Sequence, residues 1–121
     1  MTILYLCYIE ELINMFPHNC TVYREEEGNW KRYFVYGVLW QDVEGINTSK
    51  SGLKDNNILE LYIPFSSNFK PLKKDIVLKG IFDYEIKNKP SELYSLGSVR
   101  VVTTVDVFDF GELKHYKVGG R

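Results

Sequence analysis

The sequence predicts a mainly β fold, a small antiparallel β-barrel or sandwich of about six or seven strands with an N-terminal α-helix. Three observations predict it. Short apolar runs with alternating polar residues recur along the chain, with turn residues between them. The run Val99–Val107 is rich in β-branched residues, which suit a pleated, half-buried surface. Asp109, Gly111 and Glu112 then supply turn chemistry, and Lys114–Val118 can return as an antiparallel partner. A hairpin alone is marginal in water, so the earlier segments must close on it.

The composition bounds the answer. A chain of 121 residues suffices for one domain, 1–121, with an ordinary core. Charged residues are 26% of the chain, a globular balance rather than a disordered one. The net charge of −1 gives no general attraction for polyanions. Nine Tyr and seven Phe suit strands and interfaces, where a ring is buried and a polar tip stays wet. Cys7 and Cys20 are the only cysteines, with no CxxC pair and no His cluster. They read as two free thiols in a reducing cytosol, with a Cys7–Cys20 disulfide as the alternative. The start, MTILYLCYI, has no basic flank and is cut short by Glu10 and Glu11. It reads as neither signal peptide nor membrane anchor, so folding in the cytoplasm is expected.

The elements follow in order. Residues 1–19 read as a helix with its cap, and 20–121 as the barrel with a long loop at 44–57. Over Ile3–Phe16, Leu6, Ile9, Ile13 and Phe16 form one helical stripe, and Tyr5, Tyr8, Leu12 and Met15 form another beside it. Thr2 is an N-cap candidate, and Pro17 with Asn19 is a stop. Two stripes exceed one core contact. Either the helix is buried on most sides against one end of a sheet, or one stripe meets another chain. The run ILYLCYI can also be read as a strand. Cys20–Arg24 is a short strand, and Glu25–Asn29 a charged, solvated turn. Trp30–Val43 is the longest strand, with Phe34, Tyr36, Val38 and Trp40 on one face and Tyr33, Val35, Leu39 and Val43 on the other. Gly37 marks a bulge or a close crossing. Glu44–Asn57 is polar and breaks every pattern, with Ile46 and Leu53 isolated in it; it is either a partner loop or a merely solvated one. In Ile58–Phe65, Leu59, Leu61, Ile63 and Phe65 alternate with Glu60 and Tyr62, and Pro64 signals a strand end or an edge. Asp75–Lys79 and Ile81–Ile86 are short strands. Pro90, Ser91 and Glu92 open one helical turn that ends near Leu96. In the last strand, Val99, Val101, Thr103, Val105 and Val107 share one face.

Chemistry is sparse. His18 and His115 have no ligand at metal spacing and no nucleophile beside them. Lys50–Gly52 lacks the glycine spacing of a phosphate cradle, and Gly119–Arg121 reads as a flexible end. Asp106 and Asp109 read as a turn-forming pair. No catalytic, cofactor or metal residue is assigned, and an enzyme is not expected. A single-strand nucleic-acid barrel is a second class, with Trp30-Lys-Arg-Tyr33 as its nearest aromatic-basic run.

The order of the pieces carries a resemblance. It runs through WKRYFVYGVLW at 30–40, KSG at 50–52, YIPF at 62–65, DIVLKG at 75–80, PSEL at 90–93, VTTVDVFDFG at 102–111 and HYKVGG at 115–120. From Thr21 onward this resembles a group of proteins encoded by phages and prophages of Gram-positive bacteria, among head and neck genes. More loosely it is similar to the small head-closure, or head–tail joining, proteins of long-tailed phages. That resemblance implies a small barrel in a homo-oligomeric ring, six- or twelve-fold. The ring would sit in the virion neck, after synthesis in the host cytoplasm. A portal or adaptor protein would lie above it and a tail terminator or tail-completion protein below. Genomic DNA would pass through without sequence-specific binding. Loop 44–57 is the counterpart of a channel loop, so Ile46, Lys50, Leu53 and Lys54 are its candidate contacts. Ring subunits meet head to tail, and exposed aromatics suit such contacts. The candidate subunit surface is therefore Tyr5, Tyr8, Leu12, Met15, Phe108 and Phe110. Another head–tail adaptor or tail-completion protein is the runner-up. No cofactor and no catalytic residue is implied.

Overall fold

The computed structural model describes residues 15–43 and 58–121. All but the last two residues of the expected helix, and the whole of loop 44–57, lie outside the described residues. So do Tyr5, Tyr8, Leu12, Ile46, Lys50, Leu53 and Lys54.

Strands β1 (His18–Glu26), β2 (Asn29–Asp42), β3 (Leu59–Pro64), β4 (Ile76–Lys79), β5 (Val99–Phe108) and β6 (His115–Gly120) close into a barrel. Their order around it is β1-β2-β3-β6-β5-β4, and every neighbouring pair is antiparallel. The mainly β expectation holds in its barrel form. The wall consists of two sheets that share strands: β2-β1-β4-β5 and β2-β3-β6-β5. Each shared strand carries a bulge, the device that lets one strand turn from one sheet into the next.

In β2 the bulge is at Gly37. His18 opposes Val38 and Asn19 opposes Tyr36, which leaves Gly37 without a partner, at φ 76°. Glycine adopts that conformation without steric cost. The bulge flips the side chains, so the single face expected for Phe34, Tyr36, Val38 and Trp40 is corrected. Phe34 and Tyr36 point outward, 38% and 58% exposed, while Val38 and Trp40 are buried. In β5, Val102 opposes Gly120 and Thr104 opposes Gly119, so Thr103 is the extra residue. The expected valine face is corrected in the same way. Val102 and Val105 pack on the core and Val101, before the bulge, turns outward, while Val107 keeps the Val105 side opposite Tyr116 and is exposed.

The lumen is packed with Cys20, Val22, Val35, Val38, Trp40, Leu59, Leu61, Ile63, Val77, Val102 and Val118. Burying the Trp40 side chain stabilises by roughly 2–3 kcal/mol on the usual area scale. Its indole N–H donates to Asp42 Oδ1 at 3.1 Å. Gly119–Arg121 is no flexible end: Val101 and Arg121 exchange backbone hydrogen bonds of 2.8 and 3.1 Å. A Cβ on Gly120 would lie 3.0 Å from the Val101 carbonyl oxygen, a backbone atom that cannot swing away.

The β4–β5 connection straps the outside of the barrel. Ile81–Ile86, expected as a strand, joins no ladder. Its alternation instead serves packing. Phe82, Tyr84 and Ile86, with Leu93 and Leu96, cover the outward side chains Tyr23, Ile76 and Leu78. Leu93 comes from the 3-10 turn Pro90–Ser95, where a helical turn was expected. Polar bonds pin the strap. Tyr23 donates its hydroxyl to the Tyr84 carbonyl at 2.6 Å, and burial, opposed by Arg32, raises the pKa of that phenol. Thr21 donates to the Gly80 carbonyl at 2.8 Å and accepts from the Phe82 N–H at 2.9 Å. Glu92 accepts from the backbone N–H groups of Lys87, Asn88 and Lys89 and from the Tyr84 hydroxyl. Those donors, the Lys89 N–H foremost, hold its carboxyl down at about 2.

The two ends of the barrel differ. The β3–β4 connection, 65–75, crosses one end and sets Phe69 against Tyr33. At the other end Val43 N–H donates to the Ile58 carbonyl at 2.8 Å. Val43 and Ile58, the described residues on either side of 44–57, therefore meet at one rung. Phe16, buried, and Met15, exposed, lead into β1 at that same end.

Candidate functional site

Two arginine clusters flank the closed end of the barrel. Arg24 donates Nε to Asp75 Oδ1 at 2.8 Å and Nη2 to Oδ2 at 2.6 Å, and Nη2 also reaches the Lys70 carbonyl. Its guanidinium lies 5.3 Å from the Tyr33 ring and 5.1 Å from that of Phe69. Asp75, 3% exposed, also accepts from the Leu72 N–H. Tyr33 donates its hydroxyl to Glu26. A bidentate pair clamped between two rings fixes the 65–75 connection on the barrel, which is a structural task. Paired to Asp75, the guanidinium has its pKa raised further.

The expected aromatic-basic run Trp30–Tyr33 lines a cleft of about 400 Å³ with Tyr23, Glu85 and Ile86. Its cations are matched by acids. Lys31 lies 3.4 Å from Glu26, and Arg32 lies 3.1 Å from Asp83 and 3.8 Å from Glu85. Tyr33 turns toward Arg24 and the core. A strand of nucleic acid needs bare cations beside open rings, and in this cleft each cation already lies within 4 Å of an acid.

The outer face of β3, β6 and β5 has a different character. Register places Tyr62 opposite Lys117 and Lys117 opposite Asp106. One row on, Pro64, His115 and Phe108 align. His115 stacks on Phe108, centroids 4.9 Å apart and planes 12° apart. Tyr62 lies 6.1 Å from His115, and Phe110 lies 6.0 Å from Phe108. These contacts make a continuous run of rings across three strands and onto the β5–β6 turn. Phe110 is 71% exposed. Ion pairs rim the face, Lys117 to Glu60 at 3.9 Å and Lys114 to Asp109 at 3.4 Å. Uncovered aromatic area with a polar rim is the composition of a protein contact surface.

A second uncovered set lies on β2. Arg32, Phe34 and Tyr36 alternate outward before the bulge, and the Arg32 guanidinium sits 4.9 Å over the Phe34 ring. In the six-strand order β2 lies across the barrel from β5 and beside β3, so the two surfaces are distinct and unlike patches of one wall.

Of the residues singled out in the sequence, Phe108 and Phe110 meet on the ring-bearing face. Met15, 49% exposed, sits at the opposite end. Asp109 does pair across the turn, with Lys114, while Asp106 faces outward on the strand. Tyr62 and His115 escaped notice, because their adjacency to Phe108 exists only once register is known. Cys20 is a free thiol in the lumen, its pKa pushed up to about 12 by burial. His18 accepts the Trp40 backbone N–H on Nδ1 at 3.1 Å. Among the described residues, no group of three His, Cys, Asp or Glu side chains converges as for a metal, and no helix is long and apolar enough to cross a membrane.

A family model described as a family of unknown function, DUF6751, matches residues 15–121. No curated protein and no solved structure matches the chain.

Proposed function

The chain belongs to this family, DUF6751, and from that premise we propose that it is a structural, non-enzymatic subunit of a phage neck. Its role is head closure: a ring that joins the DNA-filled head to the tail and helps retain DNA. The observation that carries this reading is the pair of unlike, uncovered aromatic surfaces on one closed barrel. Two unlike surfaces let copies join head to tail, and rotation at each contact closes a ring. The sequence resemblance supplies the neck, with a portal or adaptor above and a tail terminator or tail-completion protein below. Segment 44–57 departs from the end away from the ring-bearing turn, where it can face the channel. Ile46, Lys50, Leu53 and Lys54 are its proposed contacts there. DNA passes such a lining without sequence-specific contacts, in keeping with a net charge of −1.

The test is electron microscopy of an induced lysate from a lysogen lacking only this gene. Filled heads beside free, full-length tails are expected, and heads that leak DNA would point to closure itself. Normal infectious particles would sink the reading.

A further inference from the structure

We propose that the Tyr62–His115–Phe108–Phe110 face of one copy seats on the Arg32–Phe34–Tyr36 face of a second copy of this chain, with Asp106 meeting Arg32. The inference rests on the ring reading and names the contact that would build it.

Three observations select a second copy as the occupant. The two surfaces are unlike and lie on separate patches of the barrel wall, so a contact between them repeats head to tail. Each offers uncovered rings, Phe110 beside the half-buried Phe108 on one side and Phe34 and Tyr36 on the other. The charges are complementary as well. Asp106 is exposed in the middle of the ring-bearing face and has no ion pair among the described residues. Arg32 is matched only by Asp83 and Glu85, whose side chains are 91% and 79% exposed and so heavily screened. Its Nη1, 3.1 Å from Asp83 Oδ1, makes that contact as an ion pair without a well-aligned hydrogen bond. An aspartate delivered by a neighbour, in a site closed to water by four rings, would pair with it more strongly than either solvated partner. The ring-bearing face carries Glu60, Asp106 and Asp109 against Lys114 and Lys117. That acidic excess argues against a nucleic acid there.

The contact is tested by charge reversal in the full chain, read by sedimentation velocity across a concentration series. The wild type is expected to assemble with rising concentration. Asp106→Arg sets Arg against Arg at every contact, and Arg32→Asp sets Asp against Asp. Each alone should need at least about tenfold more protein for half-assembly. An equimolar mixture of the two should assemble like the wild type, because alternating copies pair Arg with Asp at every contact. Thermal unfolding checks that both variants fold. Should Arg32→Asp fail to fold, Phe110→Cys with Tyr36→Cys, in a Cys7→Ser background, replaces it. That double variant should give a ladder of disulfide-linked multiples on oxidation, while each single variant gives dimers at most.

A wild type that stays monomeric at every concentration would overturn the contact. So would single reversals that assemble normally, a mixture that stays apart, or a Phe110→Cys dimer that forms as readily as the ladder. The lysogen test separates the two readings. Normal particles with a rescued mixture would sink the neck and leave the contact standing. Heads parted from tails without rescue would sink the contact alone.

Discussion

The outer face of β1 and β4 and the outer face of β3, β6 and β5 belong to one barrel and have been treated oppositely. The first carries Tyr23, Ile76 and Leu78, all buried under the 81–97 strap. The second carries Tyr62, His115 and Phe108, which touch mainly one another and lead to the open Phe110. Polar atoms follow the same division. The Tyr23 and Thr21 hydroxyls are bonded to strap backbone, whereas the second face is rimmed by half-exposed ion pairs worth little to the fold. Apolar area spent on the fold is covered within the chain. The area left over on the second face is available to a partner.

The contrast breaks if the two faces respond alike to truncation. The largest effect is expected at Leu93, which the strap buries completely against the first face. Leu93→Ala should cost about 2–4 kcal/mol, the range for emptying a buried leucine site. Urea denaturation measures it as a lower midpoint at unchanged slope. A loss below about 1 kcal/mol would mean that the strap is not part of the core.

Tyr23→Phe comes next. It removes the hydroxyl that donates to the Tyr84 carbonyl and leaves the ring in place. One hydrogen bond is worth about 1 kcal/mol. Hydrogen exchange should locate the loosening in 81–97 rather than in the lumen strands. Uniform loosening would show that the strap and barrel open as one unit.

Acid sharpens the comparison, because the strap has a titrating clamp of its own. The Glu92 carboxyl is lowered from the usual 4.5 to about 2 by the N–H groups it collects. A carboxyl depressed in the folded state stabilises fully above its unfolded pKa, and the gain is lost as pH falls toward the folded value. The Glu92 contribution should therefore be intact at neutral pH and fade between about pH 4.5 and pH 2. Glu92→Ala should lower Tm at pH 7 and match the wild type more closely near pH 2. A constant gap across that window would mean that the clamp does not titrate.

The faces were not equally legible in the sequence. Period-two alternation located β1 to β6 to within a few residues, because half-buried strands write their burial into every second position. The same alternation misread Ile81–Ile86, since an extended segment laid on a sheet buries every second residue without joining a ladder. Gly37 announced its bulge, because its conformation favours glycine. Thr103 gave no sign, because Thr suits a regular strand, and so the valine face of β5 was misjudged. Arg24 and Asp75 are 51 residues apart, and no local pattern joins them. Phe108 and Phe110 could be named in advance. Tyr62 and His115, from other strands, had to wait for register.

The smallest expected effect tests the contrast most directly. Phe110→Ser alters a side chain that touches Phe108 and otherwise faces water. Losing one exposed ring contact should move folding stability by no more than about 0.5 kcal/mol. The same change removes the most prominent ring from the uncovered face, so assembly should weaken while Tm holds. If Tm falls as it does for Leu93→Ala, the ring run is an outlying part of the core. Its exposure would then reflect the bareness of an isolated barrel, not a surface kept for a partner. A variant that folds as well as the wild type and assembles less well would assign the two faces their separate work.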